Sequence, residues 1–240
     1  MAQKTVLQIA QTITNQIGLP TPQAVVSASD QNMAKLLAVI RSACEDLLQE
    51  YDWQVLQRRY TFQTTSGVEN YALPTDQERF INATFYDQNN RWPLQGQLTA
   101  TEWEVLKVSN LAASPFERYR VFGNKLYLFP TPSTSTYTFV YEYVSSAYCT
   151  SSGGVPQTDI QQDSDIILLD HRMVVYGAKV KWLSSIGMDT TAALSEYSRA
   201  VELEKGSDVP GRKLSIVGGC VGAPFICTAN LPDTGYGSVN

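Results

Sequence analysis

Leu47-Leu48-Gln49-Glu50-Tyr51-Asp52-Trp53, followed a few residues later by Arg59-Tyr60-Thr61-Phe62-Gln63-Thr64, is the stretch that decides the fold. Up to Tyr51 the apolar residues recur every three or four positions. From Arg59 they recur every two, with Tyr60, Phe62 and Thr64 on one side and Arg59, Thr61 and Gln63 on the other. The first period belongs to one face of an α-helix and the second to a half-buried strand, so the chain passes here from helices into a sheet.

Reading backward, Met33, Leu36, Leu37, Ile40, Cys44, Leu47, Leu48 and Tyr51 form the apolar stripe of a second helix. Glu45, Asp46 and Glu50 occupy its opposite face, and Ser29 or Asp30 is placed to cap it. A first helix over residues 4–17 buries Val6, Ile9, Ala10, Ile13 and Ile17 and stops at Gly18. Reading forward, Tyr71-Ala72-Leu73 is a short strand ended by Pro74. Residues 81–86 and 92–98 read as strands around the turn Gln88-Asn89-Asn90. Thr99 and Glu102 have the spacing of a capping box, opening a short helix with Trp103 and Leu106 on its apolar side and Leu111 as a further candidate. The clearest hairpin joins strands 119–122 and 125–129 through Gly123-Asn124, and glycine first suits a type II′ turn. Tyr137, Phe139, Tyr141 and Tyr143 then alternate with Thr138, Val140, Glu142 and Val144. This all-aromatic face packs well in a sheet. It also offers contact area between subunits, because tyrosine supplies surface at little entropic cost.

Residues 150–162 read as a polar linker. A helix over 165–186 carries Ile166, Leu169, Met173, Val174, Ala178 and Trp182, and another from Asp189 or Thr190 to just before Gly206 carries Leu194, Tyr197 and Val201. The expected fold class is α+β: an antiparallel helical bundle from the N- and C-terminal helices, an inserted antiparallel β-domain, and an extended C-terminal arm. The boundaries fall at 1–53, 54–149, 150–206 and 207–240. The arm is rich in glycine and proline but holds Leu214, Ile216, Val217, Val221, Phe225, Ile226 and Leu231. That is too apolar for a solvated linker, so another protein's surface is expected to order it.

Composition narrows the function. A charged fraction of 17% leaves much neutral surface for burial against partners, and the net charge of -5 argues against general nucleic-acid binding. It leaves room for DNA passing through a pore. Arg58, Arg59, Arg118, Arg120 and Lys125 suggest a basic ribbon, for which cross-strand ion pairs to Glu117 or Glu142 are the simpler account. Cys44, Cys149, Cys220 and Cys227 lack the spacing of a disulfide framework or a zinc site, which points to a reducing compartment without metal. Neither a signal peptide nor a run of about 18 apolar residues is evident.

No Gly-x-Ser-x-Gly elbow, phosphate loop or dinucleotide fingerprint occurs, and His171 is the single histidine. No cofactor is implied. The one acid–base candidate is the cluster Glu45, Asp46, Glu50 and Asp52 with Trp53, Trp92, Trp103 and Tyr60, which keeps open a phage cell-wall hydrolase or a carbohydrate-binding tail component. The plainer reading is a solvated helix face and sheet core.

The segments around Leu47–Trp53 and Arg59–Phe62, Tyr71-Ala72-Leu73-Pro74-Thr75-Asp76, and Gly123-Asn124-Lys125-Leu126-Tyr127-Leu128-Phe129-Pro130-Thr131-Pro132 leading into Phe139–Tyr143 resemble the head-to-tail adaptor proteins of tailed bacteriophages. The likeness is to the portal-bound adaptors of short-tailed phages, the tail tubular protein A-like connectors, and it extends to the C-terminal helical hairpin with its trailing arm. It implies a virion protein at the head–tail junction, assembled in the host cytoplasm and without catalysis. The implied assembly is a homo-oligomeric ring, commonly a dodecamer, bound to the portal protein through the arm. Such a ring extends the channel for double-stranded DNA and carries the tail nozzle or tube. A connector of a long-tailed phage is a weaker alternative.

Overall fold

The structure is a computed structural model and describes residues 3–109, 117–133 and 137–208. Helix α1 (Val6–Ile17) opens on a reciprocal capping box. The Gln8 amide donates to Thr5 Oγ1 at 3.3 Å, and the Thr5 amide donates to Gln8 Oε1 at 3.1 Å. It ends at Gly18, whose φ of 74° is the left-handed conformation that glycine adopts without a Cβ clash. Helix α2 (Gln31–Glu50) is capped by Asp30, which accepts from the Asn32 amide. After a 3-10 turn at Gln54–Leu56 the sheet region begins: β1 (Gln57–Gln63), β2 (Asn70–Ala72), β3 (Gln77–Phe80), β4 (Tyr86–Asp87) and β5 (Trp92–Pro93). Helix α3 (Ala100–Ser109), β6 (Arg118–Phe122), β7 (Lys125–Phe129), β8 (Thr138–Ser145), β9 (Cys149–Thr150), β10 (Pro156–Gln157) and β11 (Ile166–Ile167) follow, and then α4 (His171–Ser185) and α5 (Thr191–Asp208).

The fold is therefore α+β with antiparallel sheets. Strand β8 is the centre of the first sheet. It pairs with β1 on one edge, in the register Tyr60 to Tyr141, and with β3 and β4 on the other, with β5 beyond β4. A second sheet runs β2-β7-β6. Its Tyr119, Leu126 and Leu128 share one apolar cluster with Phe139, Tyr141 and Tyr143, so the two sheets face each other across an aromatic core. Val144, on the other side of β8, belongs to the helical core, which places the sandwich against the helices. In that helical core α4 packs on α1, α2 and α5. Gly177 permits the approach: a Cβ there would lie 3.2 Å from the Tyr197 ring and 3.5 Å from the Ala43 Cβ.

Six local expectations are corrected. The strand expected over 81–86 is interrupted, because Ala83 has φ of 62° and Thr84 Oγ1 bonds to the Ile81 carbonyl. The strand expected over 92–98 ends at Pro93, and Gly96 crosses Tyr119 so closely that a Cβ would meet its carbonyl oxygen at 2.5 Å. The Gly123-Asn124 turn is type I′, with φ of 57° and 58°; asparagine tolerates the second positive φ, which the glycine-first reading had not required. The linker at 150–162 takes part in a three-stranded sheet, β10-β9-β11. Asp163 Oδ1 there accepts from the amides of Val25 at 2.8 Å and Val26 at 2.9 Å, and the Asp165 carbonyl accepts from the Val6 amide. Helix α4 accordingly starts at His171, not Asp165: Asp170 is the cap, and Asp165 turns its carboxylate onto the amides of Gln161 and Gln162. Helix α5 also runs past Gly206 to Asp208.

Candidate interaction surfaces

The acidic cluster at the end of α2 is a set of ties. Asp46 lies 2.6 Å from Lys181 of α4, and Glu50 accepts from Lys205 and from the Tyr197 hydroxyl of α5. Asp52 meets Arg79 of β3 at 2.5 Å. Arg79 also donates to the carbonyls of Leu48 at 2.9 Å and Tyr51 at 2.7 Å, and Trp53 Nε1 donates to the Leu47 carbonyl at 2.7 Å. These are carbonyls that a helix leaves unpaired at its C-terminus, where a cation also opposes the helix dipole. Trp53 and Trp103 are core residues, Tyr60 is half-buried, and Trp92 is exposed. Asp46, Glu50 and Asp52 thus fasten α2 to its neighbours.

The aromatic face of β8 is interior. Phe139, Tyr141 and Tyr143 are all buried; Phe85 stacks between Tyr119 at 3.9 Å and Tyr141 at 4.6 Å, and Phe62 leans on Phe139. Their polar tips are satisfied. The Tyr141 hydroxyl donates to Gln77 Oε1 at 2.9 Å and the Tyr143 hydroxyl to Asp76 at 3.0 Å. Burial, reinforced by Asp76, pushes the Tyr143 hydroxyl up to about 12. These three residues are therefore core and not a subunit interface, because the β2-β7-β6 sheet covers them. Tyr137 is half-buried at the margin of the same cluster.

The basic residues are divided. Arg58 and Arg59 stand on β1, whereas Arg118, Arg120 and Lys125 stand on the other sheet. Arg59 is opposite Glu142 in register and Arg120 lies over the Phe122 ring, but among the described residues neither Glu142 nor Glu117 forms an ion pair. His171 opens α4, 3.9 Å from Asp170, and burial with nearby Lys4 lowers its pKa from the ordinary value. Cys44 and Cys149 are buried free thiols, and burial pushes Cys149 up to about 12, far from nucleophilic. Leu214, Ile216, Val217, Val221, Phe225, Ile226 and Leu231, like Cys220 and Cys227, lie outside the described residues.

Tertiary structure adds exposed apolar side chains that the sequence reading passed over: Ile186 and Met188 at the turn between α4 and α5, Leu203 on the outer side of α5, and Val105 and Val108 on α3. Leu194, expected on one side of α5 with Tyr197 and Val201, is exposed as well, whereas Val201 is buried. The available signal was α5 itself, whose apolar residues outnumber those it buries, Ala193 and Val201.

No curated protein matches the chain. A family model described as SU10 adaptor protein matches residues 4–212. That range takes in every helix and strand of the described fold, from the capping box of α1 to the end of α5, and is most of the 240 residues. The chain therefore belongs to the SU10 adaptor protein family, a family of phage adaptors.

Proposed function

We propose that this chain is the structural adaptor between the head and tail of a short-tailed phage and has no catalytic step. Copies of it form a ring, a dodecamer in the simplest case, on the portal protein. The ring extends the DNA channel and presents the surface on which the tail nozzle or tube is built. The observation that carries this reading is the family match across both the helices and the inserted sheets. The helices act in it as an antiparallel bundle and the region beyond α5 as an extended arm. Leu214, Ile216, Val217, Val221, Phe225, Ile226 and Leu231 of that arm bind the portal. An apolar arm that orders only on its partner binds at an entropic cost, which keeps free subunits apart from heads until docking. The net charge of -5 suits a channel that lets DNA slide without gripping it. The ion-paired state of Asp46, Glu50 and Asp52 favours a structural use of the acidic cluster over hydrolysis.

The test is electron microscopy of the full chain mixed with portal-bearing heads, beside a chain ending at Asp208. The full chain is expected to add a ring to the portal vertex, and the shortened chain to fold but stay unbound. Equal attachment by the shortened chain removes the arm's role, and failure of the full chain to attach removes the adaptor reading.

A further inference from the structure

The β2-β7-β6 sheet turns one side to the aromatic core and the other outward. Tyr119, Val121, Leu126 and Leu128 belong to the core cluster, so the alternate positions lie on the far side: Arg118, Arg120 and Phe122 on β6, and Lys125, Tyr127 and Phe129 on β7. Strand β2 adds Asn70 and Ala72, opposite Tyr127 and Lys125. The outward positions of all three strands therefore carry arginine and lysine but no carboxylate. This is a local reversal of sign in a chain of net charge -5.

Helix α3 covers the Phe129 end of this side, where Trp103 meets Tyr127 and Phe129 edge-on at 6.4 Å and 6.2 Å. The turn end is open: Phe122 is 43% exposed, and Lys125 is exposed beside it. Phe122 is also fixed. It stacks on Tyr127 with ring centroids 4.1 Å apart, and the Arg120 guanidinium lies 4.7 Å from its ring centroid. A ring already held by its neighbours loses little freedom when a partner covers it. The carboxylates of the surrounding elements are mostly engaged. Glu69 binds Lys107 at 3.1 Å, and Glu102 accepts from the Thr99 amide and hydroxyl, each at 2.8 Å. Glu117 is drawn in by burial, and Glu104 is exposed on α3.

We infer that the outer face of the β6–β7 hairpin is where this chain takes its tail partner, and that the partner presents an acidic segment with an aromatic or large apolar side chain. Its carboxylates meet Arg118, Arg120 and Lys125, and its apolar group lies on Phe122. Arginine and aromatic rings are the side chains that interface centres favour, and opposite charge steers and orients the approach. The same composition would suit a single nucleic-acid strand, but a polynucleotide carries a charge at every phosphate and meets the net acidity of the chain as repulsion. A short acidic segment needs only charges matched to the hairpin. The inference rests on the adaptor ring of the proposed function and names the face and the chemistry of its tail contact.

The probe is a fluorescently labelled polyglutamate peptide with a central tryptophan, titrated with the full chain and followed by anisotropy. The same peptide with serine for glutamate, and labelled oligothymidylate, run beside it. The glutamate peptide is expected to bind, more weakly as salt rises, and the serine peptide not to bind. Arg120→Glu, Lys125→Glu and Phe122→Ser are each expected to weaken binding about tenfold, as loss of an interface anchor does. Lys35→Glu, an equal change of charge at an exposed site on α2, leaves it unchanged. Circular dichroism checks that every variant folds. Glutamate peptide bound alike by all variants, or no better than the serine peptide, overturns the inference. Tighter binding of oligothymidylate, lost in the same variants, gives the face to nucleic acid and also overturns it. On portal-bearing heads viewed by electron microscopy, the hairpin variants are expected to add a ring as wild type does, and that ring to take up no tail nozzle protein. Variants that take up nozzle normally, or that fold but never reach the portal, overturn the inference and leave the adaptor reading standing. If wild type adds no ring, the adaptor reading falls, and the acidic partner of the hairpin is decided by the peptide alone.

Discussion

Replacing Arg79 with alanine frees three acceptors at once: the carbonyls of Leu48 and Tyr51 and the carboxylate of Asp52. The first two are carbonyls at the C-terminal end of α2 that have no onward helical partner. A hydrogen bond involving a charged group contributes about 1.5–3 kcal/mol. The Arg79 side chain is 31% exposed, so water replaces part of what is lost, and about 1 kcal/mol for each carbonyl is the fitting figure. The ion pair to Asp52, itself 50% exposed, adds less than about 1 kcal/mol. Arg79→Ala is therefore expected to cost about 2–3 kcal/mol. With a urea slope near the upper end for small proteins, about 3 kcal/mol/M, the denaturation midpoint falls by about 0.7–1 M. Arg79→Lys cannot reproduce the fork and falls in between. Asp52→Ala, which leaves both carbonyl bonds intact, is expected to lose less than about 1 kcal/mol. The assay is urea titration of the full chain followed by tryptophan emission, which buried Trp53 beside this junction reports. If Asp52→Ala costs as much as Arg79→Ala, the ion pair and not the helix end is what Arg79 serves, and the reasoning fails.

Tyr141→Ala removes a fully buried ring from the centre of the sandwich and is expected to cost about 3–5 kcal/mol, whereas Tyr137→Ala at the margin costs about 1 kcal/mol or less; equal losses in the same titration would contradict the core assignment of the aromatic face. Glu117 makes stability depend on pH. Burial, and then the nearby Asp87, raise its pKa from 4.5 to about 7. Because the folded value lies above the unfolded one, the stability is fully present below about pH 4.5 and is lost as pH rises through about 7. Glu117→Gln should remove this fall, so its urea midpoint relative to wild type should rise between pH 5 and pH 8; an unchanged difference would show that the carboxyl does not titrate there.

The helices and the sheet were legible wherever a period ran long enough to be read. Residues 33–51 expose the stripe of α2, and residues 137–144 expose the alternation of β8, because each repeats its signal several times. Caps were legible too: Asp30, Thr99 and Glu102 act through neighbours a few residues away. Strands of two residues carry no period. This is why the sheet at residues 149–167 was hidden, along with the clamps from Asp163 to Val25 and Val26, which span more than a hundred residues of chain.

Sequence alone determined the α+β order of parts, because hydrophobic spacing is a local property that each segment carries by itself. Only the tertiary structure decided which faces were left for partners. The aromatic side of β8 disappeared beneath a second sheet, while Ile186, Met188 and Leu203 remained at the surface. Exposure depends on what distant segments cover, and no spacing within a single element records that.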